Sequence, residues 1–158
     1  MERTGEKMEK LEIRRMTAAD VPAVAEIEKR VFTDAWSECI FEEALMFPNQ
    51  IFFVLTEDGR LVGYCGLMTV LDEGQIMNIA VEEDCRRKGY GRLLIKEMLK
   101  YGEQHGISLY TLEVRESNAA ARKMYEGFGF RETGRRKNYY TEPVETAVLM
   151  DLSVADGN

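Results

Sequence analysis

Two short segments of the 158-residue chain carry side chains and spacings suited to chemistry. The first is Asn78-Ile79-Ala80-Val81-Glu82-Glu83-Asp84-Cys85-Arg86-Arg87-Lys88-Gly89-Tyr90-Gly91. It reads as a buried strand, a short polar loop and two glycines that open a helix. Glycine lets a backbone approach a ligand closely, and the free N–H groups of a first helical turn, at the positive end of the helix dipole, suit a phosphate or pyrophosphate. The dinucleotide fingerprint is incomplete, because Leu94 stands where its third glycine would be, and no Walker lysine followed by Ser or Thr is present. The second segment is Leu112-Glu113-Val114-Arg115-Glu116-Ser117-Asn118, which runs directly into Ala119–Tyr125. On a strand, Glu113 points away from Leu112 and Val114; if those two pack the core, the carboxylate opens into a cleft. A salt-bridged surface glutamate is the ordinary alternative. Tyr125 shares a helical stripe with Ala121 and Phe128, where a phenol is either an acid catalyst or a core residue with a satisfied hydroxyl.

The elements that must hold these residues follow from periodicity. Leu11–Met16 alternates as a strand. Asp20 is placed to cap a helix whose stripe is Val21, Val24, Ile27 and Val31, with Pro22 in its first turn. Ser37 is a second N-cap, and Trp36 and Phe41 around it form a hydrophobic staple. Ile51–Thr56 and Leu61–Leu71 read as strands joined by the Asp58-Gly59 hairpin turn; Gln75–Val81 follows a turn at Asp72–Gly74. A helix from Gly89 to Gly106, a strand at Leu109–Arg115, a helix at Asn118–Phe128 and two strands around Pro143 complete the order. Strand, two helices, three strands, helix, strand, helix and two strands make a mixed-sheet α/β or α+β domain. Residues 1–10 read as a polar, flexible extension, 11–152 as a single domain and 153–158 as a polar tail.

Composition narrows the classes. With 45% hydrophobic and 31% charged residues, the chain is neither disordered nor membrane-embedded, and no apolar run approaches the ~20 residues of a spanning helix. No secretory signal is visible at the start, so a cytoplasmic location is expected. Cys39, Cys65 and Cys85 offer neither a disulfide framework nor a zinc spacing, and His105 is the only histidine, which disfavours zinc and Ser-His-Asp chemistry. A net charge of -7 argues against nucleic acid. The acid excess lies entirely in residues 1–85. Residues 86–158 are net basic, with Arg86, Arg87, Lys88, Arg92, Lys96 and Lys100 clustered where an anion would be welcome. A solvated helix face is the ordinary explanation of such a run.

Taken together, the segments carry a resemblance. Arg86-Arg87-Lys88-Gly89-Tyr90-Gly91 is similar to the Q/R-x-x-G-x-G/A signature of the GNAT superfamily of N-acetyltransferases, and Asn118 through Tyr125 to Gly129-Phe130 resembles that superfamily's next helix. Asn78-Ile79-Ala80-Val81, Leu112-Glu113-Val114-Arg115, Ser117-Asn118-Ala119-Ala120-Ala121 and Asn138-Tyr139-Tyr140 look like the RimI type. That type acetylates the N-terminal alanine of small-subunit ribosomal protein eighteen. The resemblance implies the GNAT fold, a mostly antiparallel sheet of about seven strands flanked by about four helices.

It also implies roles. Acetyl-CoA is the expected co-substrate, with no metal, lying in a splay between the strand ending at Val81 and the strand starting near Leu109. Its pyrophosphate would meet the Arg86, Arg87, Lys88, Gly89, Tyr90, Gly91 and Arg92 segment. Its pantetheine would pair with the backbone of Ile79, Ala80 and Val81 as an added strand and touch Asn118. Glu113 is the implied base, directly or through water, and Tyr125 the acid that protonates the departing thiolate. Many relatives carry a glutamate on the preceding strand, where this chain has Met77-Asn78-Ile79, which strengthens the case for Glu113. Attack is direct, so the cysteines need no role. Asn78, Tyr139 and Tyr140 are the expected acceptor contacts, and the acidic first half would attract a basic ribosomal-protein N-terminus. Val144-Glu145-Thr146-Ala147 departs from the type, with Thr146 where an aspartate is usual. A monomer without nucleic-acid or membrane partners is expected. The rival readings are acetylation of a lysine side chain or small amine, and a catalytically silent acetyl-CoA-binding module.

Overall fold

The computed structural model describes residues 10–154; the extension before residue 10 and the tail after residue 154 lie outside the described residues. Its elements are β1 (Leu11–Arg15), α1 (Val21–Val31), α2 (Glu38–Ala44), β2 (Gln50–Glu57), β3 (Arg60–Val70), β4 (Glu73–Val81), α3 (Tyr90–Gln104), β5 (Leu109–Arg115), α4 (Ala119–Gly127), β6 (Arg131–Thr141) and β7 (Val144–Ser153). Short 3₁₀ turns at Ala18–Asp20 and Glu83–Cys85 precede α1 and α3. The mixed α/β architecture matches the sequence reading. Lys10 already joins the fold: its amide donates to the Asp58 carboxylate and its carbonyl accepts the Asp58 amide, both at 2.9 Å.

All seven strands form one sheet in the order β1-β2-β3-β4-β5-β7-β6, in which only the β4–β5 pair is parallel. The centre is buried on both faces. Ile51, Phe53 and Leu55 of β2 point into a core shared with Leu94, Ile95 and Met98 of α3, whereas the intervening Phe52 and Val54 point into a second core with Val24 and Ile27 of α1 and Phe41 of α2. That alternation is the period-2 pattern of a strand covered on both sides.

Local chemistry sets the boundaries. Asp58 and Gly59 both take positive φ, as the tight hairpin turn between β2 and β3 requires. The next turn differs from the sequence reading. Val70 still pairs with Glu73, so the turn is Leu71–Asp72; Leu71 leaves the strand, adopts φ 56° and is 93% exposed. Ser37 caps α2, accepting from the Ile40 amide at 3.3 Å, and Trp36 packs on Phe41 with ring centroids 5.2 Å apart. Asp20 sits at the start of α1 but does not cap it with its side chain. Its carboxylate turns back to accept the Thr17 amide at 2.8 Å and the Arg14 guanidinium at 2.8 and 2.9 Å.

Two irregularities shape the middle of the sheet. In the β3–β4 ladder Gly66 pairs with Asn78 and Leu67 with Ile76, so Met77 is an extra residue. This bulge sets Met77 and Asn78 toward α1, while Ile76 before it and Ile79 after it pack on the α3 side. Bulges bend a strand and re-aim side chains. The β4–β5 pairing ends at the same place, after Gln75↔Thr111. Beyond it β5 stays paired with β7 along its whole length, and β4 continues to Val81 without a neighbour on its β5 side among the described residues.

Candidate active site

The parting of β4 and β5 opens a cleft of about 250 Å³ through the sheet. Ile76–Ile79 form one wall and Leu112–Arg115 the other. From the α1 face it is bordered by Val31–Asp34, by Tyr140 at the end of β6 and by Glu142 and Pro143 of the β6–β7 turn; from the opposite face by Asn118, Ala121 and Tyr125 at α4. Thr33 Oγ1 donates to the Glu142 carbonyl at 2.7 Å and ties the two bordering loops together.

The β4 edge facing this gap has no paired strand from Ile76 to Val81 among the described residues. It offers alternating N–H and C=O groups that an extended amide chain can pair with. At its far end Arg86 Nε donates to the Val81 carbonyl at 3.3 Å. Arg87 and Gly89 take φ 69° and 80°, and Leu93 gives the first helical hydrogen bond to the Gly89 carbonyl at 3.2 Å. The Gly91 and Arg92 amides precede that bond and have no carbonyl of the helix to meet, an arrangement whose chemistry suits an anion. Two side chains expected here are engaged elsewhere. Lys88 Nζ lies 3.1 Å from Glu57, and the buried Tyr90 donates its hydroxyl to the same carboxylate at 2.5 Å. Arg87 and Arg92, by contrast, are exposed.

Across the cleft, the alternation expected of β5 holds. Leu112 and Val114 are buried in the α3-side core, and Glu113 faces the other way. Its Oε1 accepts the Tyr139 hydroxyl at 2.8 Å, a bond that raises the Tyr139 phenol above its ordinary value. Tyr139 and Tyr140 meet edge to face at 5.1 Å; burial, with the Glu113 charge behind it, pushes the Tyr140 phenol up to about 12. Tyr125 lies on the core side of the cleft, packed on Phe130 at 5.6 Å, and burial pushes its phenol well above the usual range. Asn118 caps α4, accepting the Ala121 amide at 3.1 Å, and lines the same space. Asn78 is 8% exposed, with its amide Nδ2 3.1 and 3.3 Å from the two oxygens of Glu28. The cleft thus gathers Asn78, Ile79, Glu113, Asn118, Tyr125 and Tyr140; Tyr139 reaches it through Glu113, and the glycine loop lies past the end of β4.

Several contributors lie outside the residues expected at the site. Arg115 lies 4.3 Å from the Tyr140 ring centroid, and donates to Pro143 O at 3.0 Å, Glu142 O at 3.2 Å and Glu145 at 3.1 Å. Glu145 in turn accepts the Ser117 amide at 2.5 Å, which with Arg115 holds its carboxyl below the usual range. Arg115 and Glu145 stand in segments the sequence singles out, but their contacts, like those of Thr33 and Glu28, become visible only once distant loops meet. The thiols stay free, and burial raises that of Cys65. Among the described residues no cluster of His, Cys, Asp and Glu could hold a metal ion, and no helix is long and apolar enough to cross a membrane.

Known proteins are similar to this chain in sequence and fold. The ribosomal protein bS18-alanine N-acetyltransferase of Escherichia coli strain K12 is 37% identical over 142 residues, spanning 89% of this chain and 95% of that protein. The crystal structure of the Escherichia coli ribosomal-protein-S18-alanine N-acetyltransferase superposes with a TM-score of 0.87 at 36% identity, covering 94% of this chain and 97% of that one. Ard1 of Thermoplasma volcanium superposes with a TM-score of 0.85 at 27% identity, over 92% and 99% of the two chains. Residues 21–130, from the start of α1 through the glycine loop to just past α4, match the acetyltransferase (GNAT) family, and with the split sheet and these relatives they make the chain a member of that family of acetyltransferases.

Proposed function

We propose that this acetyltransferase moves the acetyl group of acetyl-CoA to the α-amine of an N-terminal alanine, that of ribosomal protein bS18. The acceptor is taken from the relatives' names, over nearly the whole length of both chains. The observation that carries the chemistry is that one cleft joins an unpaired strand edge, a carboxylate and a phenol.

In this reading the bound thioester supplies an activated acetyl carbon and a thiolate leaving group. The chain's own residues do the rest. The β4 edge at Ile79–Val81 pairs with the pantetheine amides, Asn118 flanks that arm, and the amides and exposed arginines of the Arg86–Arg92 loop neutralise the phosphates. An N-terminal α-amine, which ordinarily titrates at about 7.7 to 8.0, must shed a proton before it can attack. Glu113 takes that proton directly or through one water, with Tyr139 fixing the carboxylate by its Oε1. Tyr125 donates to the departing sulfur, and its raised phenol is fully protonated at neutral pH, as an acid catalyst requires. A ribosomal protein as acceptor makes the cytoplasm the expected place of action.

The test is mass spectrometry with site localisation on a peptide bearing a free N-terminal alanine and an internal lysine, after incubation with the protein and acetyl-CoA. Acetyl on the α-amine is the expected result. Acetyl on the lysine alone would replace the reading with a side-chain acetyltransferase, and no transfer to either nitrogen would remove it.

A further inference from the structure

Glu28 is a carboxylate on the inner stripe of α1, beside Val24 and Ile27, and is only 2% exposed. Burying a charge is costly unless every lone pair finds a donor. Here the Trp36 amide donates to Oε2 at 3.0 Å, the Tyr64 hydroxyl donates to Oε1, and Asn78 Nδ2 reaches both oxygens. Every partner is a donor. Asn78 therefore has one permitted orientation, because turning its amide over would set a carbonyl oxygen against the carboxylate. Its Oδ1 is held on the opposite side of the amide, and it is the buried side-chain polar atom left without a hydrogen-bond partner among the described residues.

Buried acceptors in native proteins are paired, so a fixed orphan in a cleft wall marks a donor that arrives from outside. The bulge at Met77 decides which donor. It turns Asn78 toward α1, the face bordered by Phe32–Asp34 and Tyr140–Pro143, while Ile79 and Val81 pack on the α3 side. A pantetheine arm pairs with backbone along the strand edge. An amine entering from the α1 face meets Asn78 on one wall of the cleft and Glu113 on the other.

We propose that Asn78 Oδ1 accepts an N–H of the attacking amine, and that Glu28, which never touches substrate, is the positioning residue that keeps this oxygen turned toward it. As Glu113 removes one proton, the bond to Asn78 holds another N–H and so aims the nitrogen lone pair at the acetyl carbon. This deepens the proposed function, and its substrate is whichever amine the enzyme uses.

Glu28→Gln is the discriminating variant. The new amide can donate to Asn78 Oδ1, which lets the Asn78 amide turn over and present Nδ2 to the incoming N–H. The expected result, with the alanine peptide that has an internal lysine, is a peptide KM raised about tenfold, an acetyl-CoA KM within about twofold, and a pH profile of unchanged shape. An unchanged peptide KM in folded protein, or equal rises in both KM values, overturns the proposal. A second measurement needs no change at Glu28 or Asn78. In the Glu113→Ala protein, where that carboxylate cannot compete, two analogues of the peptide are compared, one with hydroxyl and one with hydrogen in place of the reacting amine. The hydroxyl analogue should bind about tenfold tighter, and equal binding overturns the proposal. If wild-type enzyme modifies the lysine instead, the alanine reading fails while both measurements, repeated at the lysine nitrogen, still decide the role of Asn78. A wild-type chain that acetylates neither nitrogen overturns both.

Discussion

The Tyr139 hydroxyl donates to Glu113 Oε1 at 2.8 Å, joining β6 to β5 across the intervening β7 strand of the sheet. A carboxylate on a strand has rotamers to spare, and this bond removes them while leaving Oε2 for a substrate proton. Glu113→Gln should cut kcat by about 10²- to 10⁴-fold, the usual worth of a positioned base, with acetyl-CoA affinity nearly intact. Tyr139→Phe should cost about 3- to 30-fold in kcat/KM, because the base survives but loses its fixed direction. Steady-state kinetics with each substrate varied in turn checks both, and loss of acetyl-CoA binding alone would sink the role given to Glu113.

Tyr125 makes a prediction about alkaline pH. Burial raises its phenol above the ordinary value, so the acid form persists through the range in which the acceptor amine deprotonates. Wild-type kcat should stay level up to about pH 10, where an unperturbed phenol would be half-ionised. Tyr125→Phe should lower kcat by about 10²-fold or more. A descending limb centred well below pH 10 in the wild type would remove Tyr125 as the acid.

How much of this was legible beforehand depends on how local each signal is. The facing of Glu113 followed from two apolar neighbours on a strand, and the loop that opens α3 from two glycines at a helix start, because both are written within a few residues. The Asp58-Gly59 turn was equally plain. Leu71 was not: an apolar residue after Val70 reads as more strand, and only the Val70↔Glu73 pairing puts it in the turn. Glu28 looks like one charge on a helix, yet its partners Tyr64 and Asn78 stand 36 and 50 residues away. The bulge at Met77 depends on the register with β3, which no local pattern in Asn78–Val81 reveals.

Asp20 gives a stability prediction with a defined sign. Its carboxylate is held below the ordinary value, first by the Arg14 guanidinium and then by the Thr17 amide, against the opposing effect of burial. A depressed folded-state pKa means stability that is present above the unfolded value of about 3.9 and lost as pH falls through the lower folded value. Asp20→Ala, which removes the bond to the Thr17 amide at the entry to α1, should cost about 1 kcal/mol at pH 7. That deficit should begin to shrink below about pH 4, where the unfolded chain takes up the proton, and go on shrinking as the pH falls toward the lower folded value. Urea melts of the two proteins at pH 7 and pH 3 decide it; an equal deficit at both would show that packing, and not the charge, is what matters.

Arg115 is the case in which a conservative change should not be tolerated. One guanidinium stacks on Tyr140, reaches the Glu142 and Pro143 carbonyls and pairs with Glu145, so a single planar fork fixes the turn that borders the acceptor side of the cleft. Lysine keeps the charge but has no plane to lie on the ring and cannot span these partners. Arg115→Lys should therefore loosen the β6–β7 turn and raise the peptide KM about tenfold, the worth of one lost charge-assisted hydrogen bond, while the acetyl-CoA KM moves little. Because Glu145 also holds the Ser117 amide beside Asn118, Glu145→Gln should show the opposite balance, with the acetyl-CoA KM rising at least as much as the peptide KM. Equal effects of the two variants on both substrates would mean that the Arg115–Glu145 pair acts as a single structural clamp, rather than as two arms serving opposite faces of the cleft.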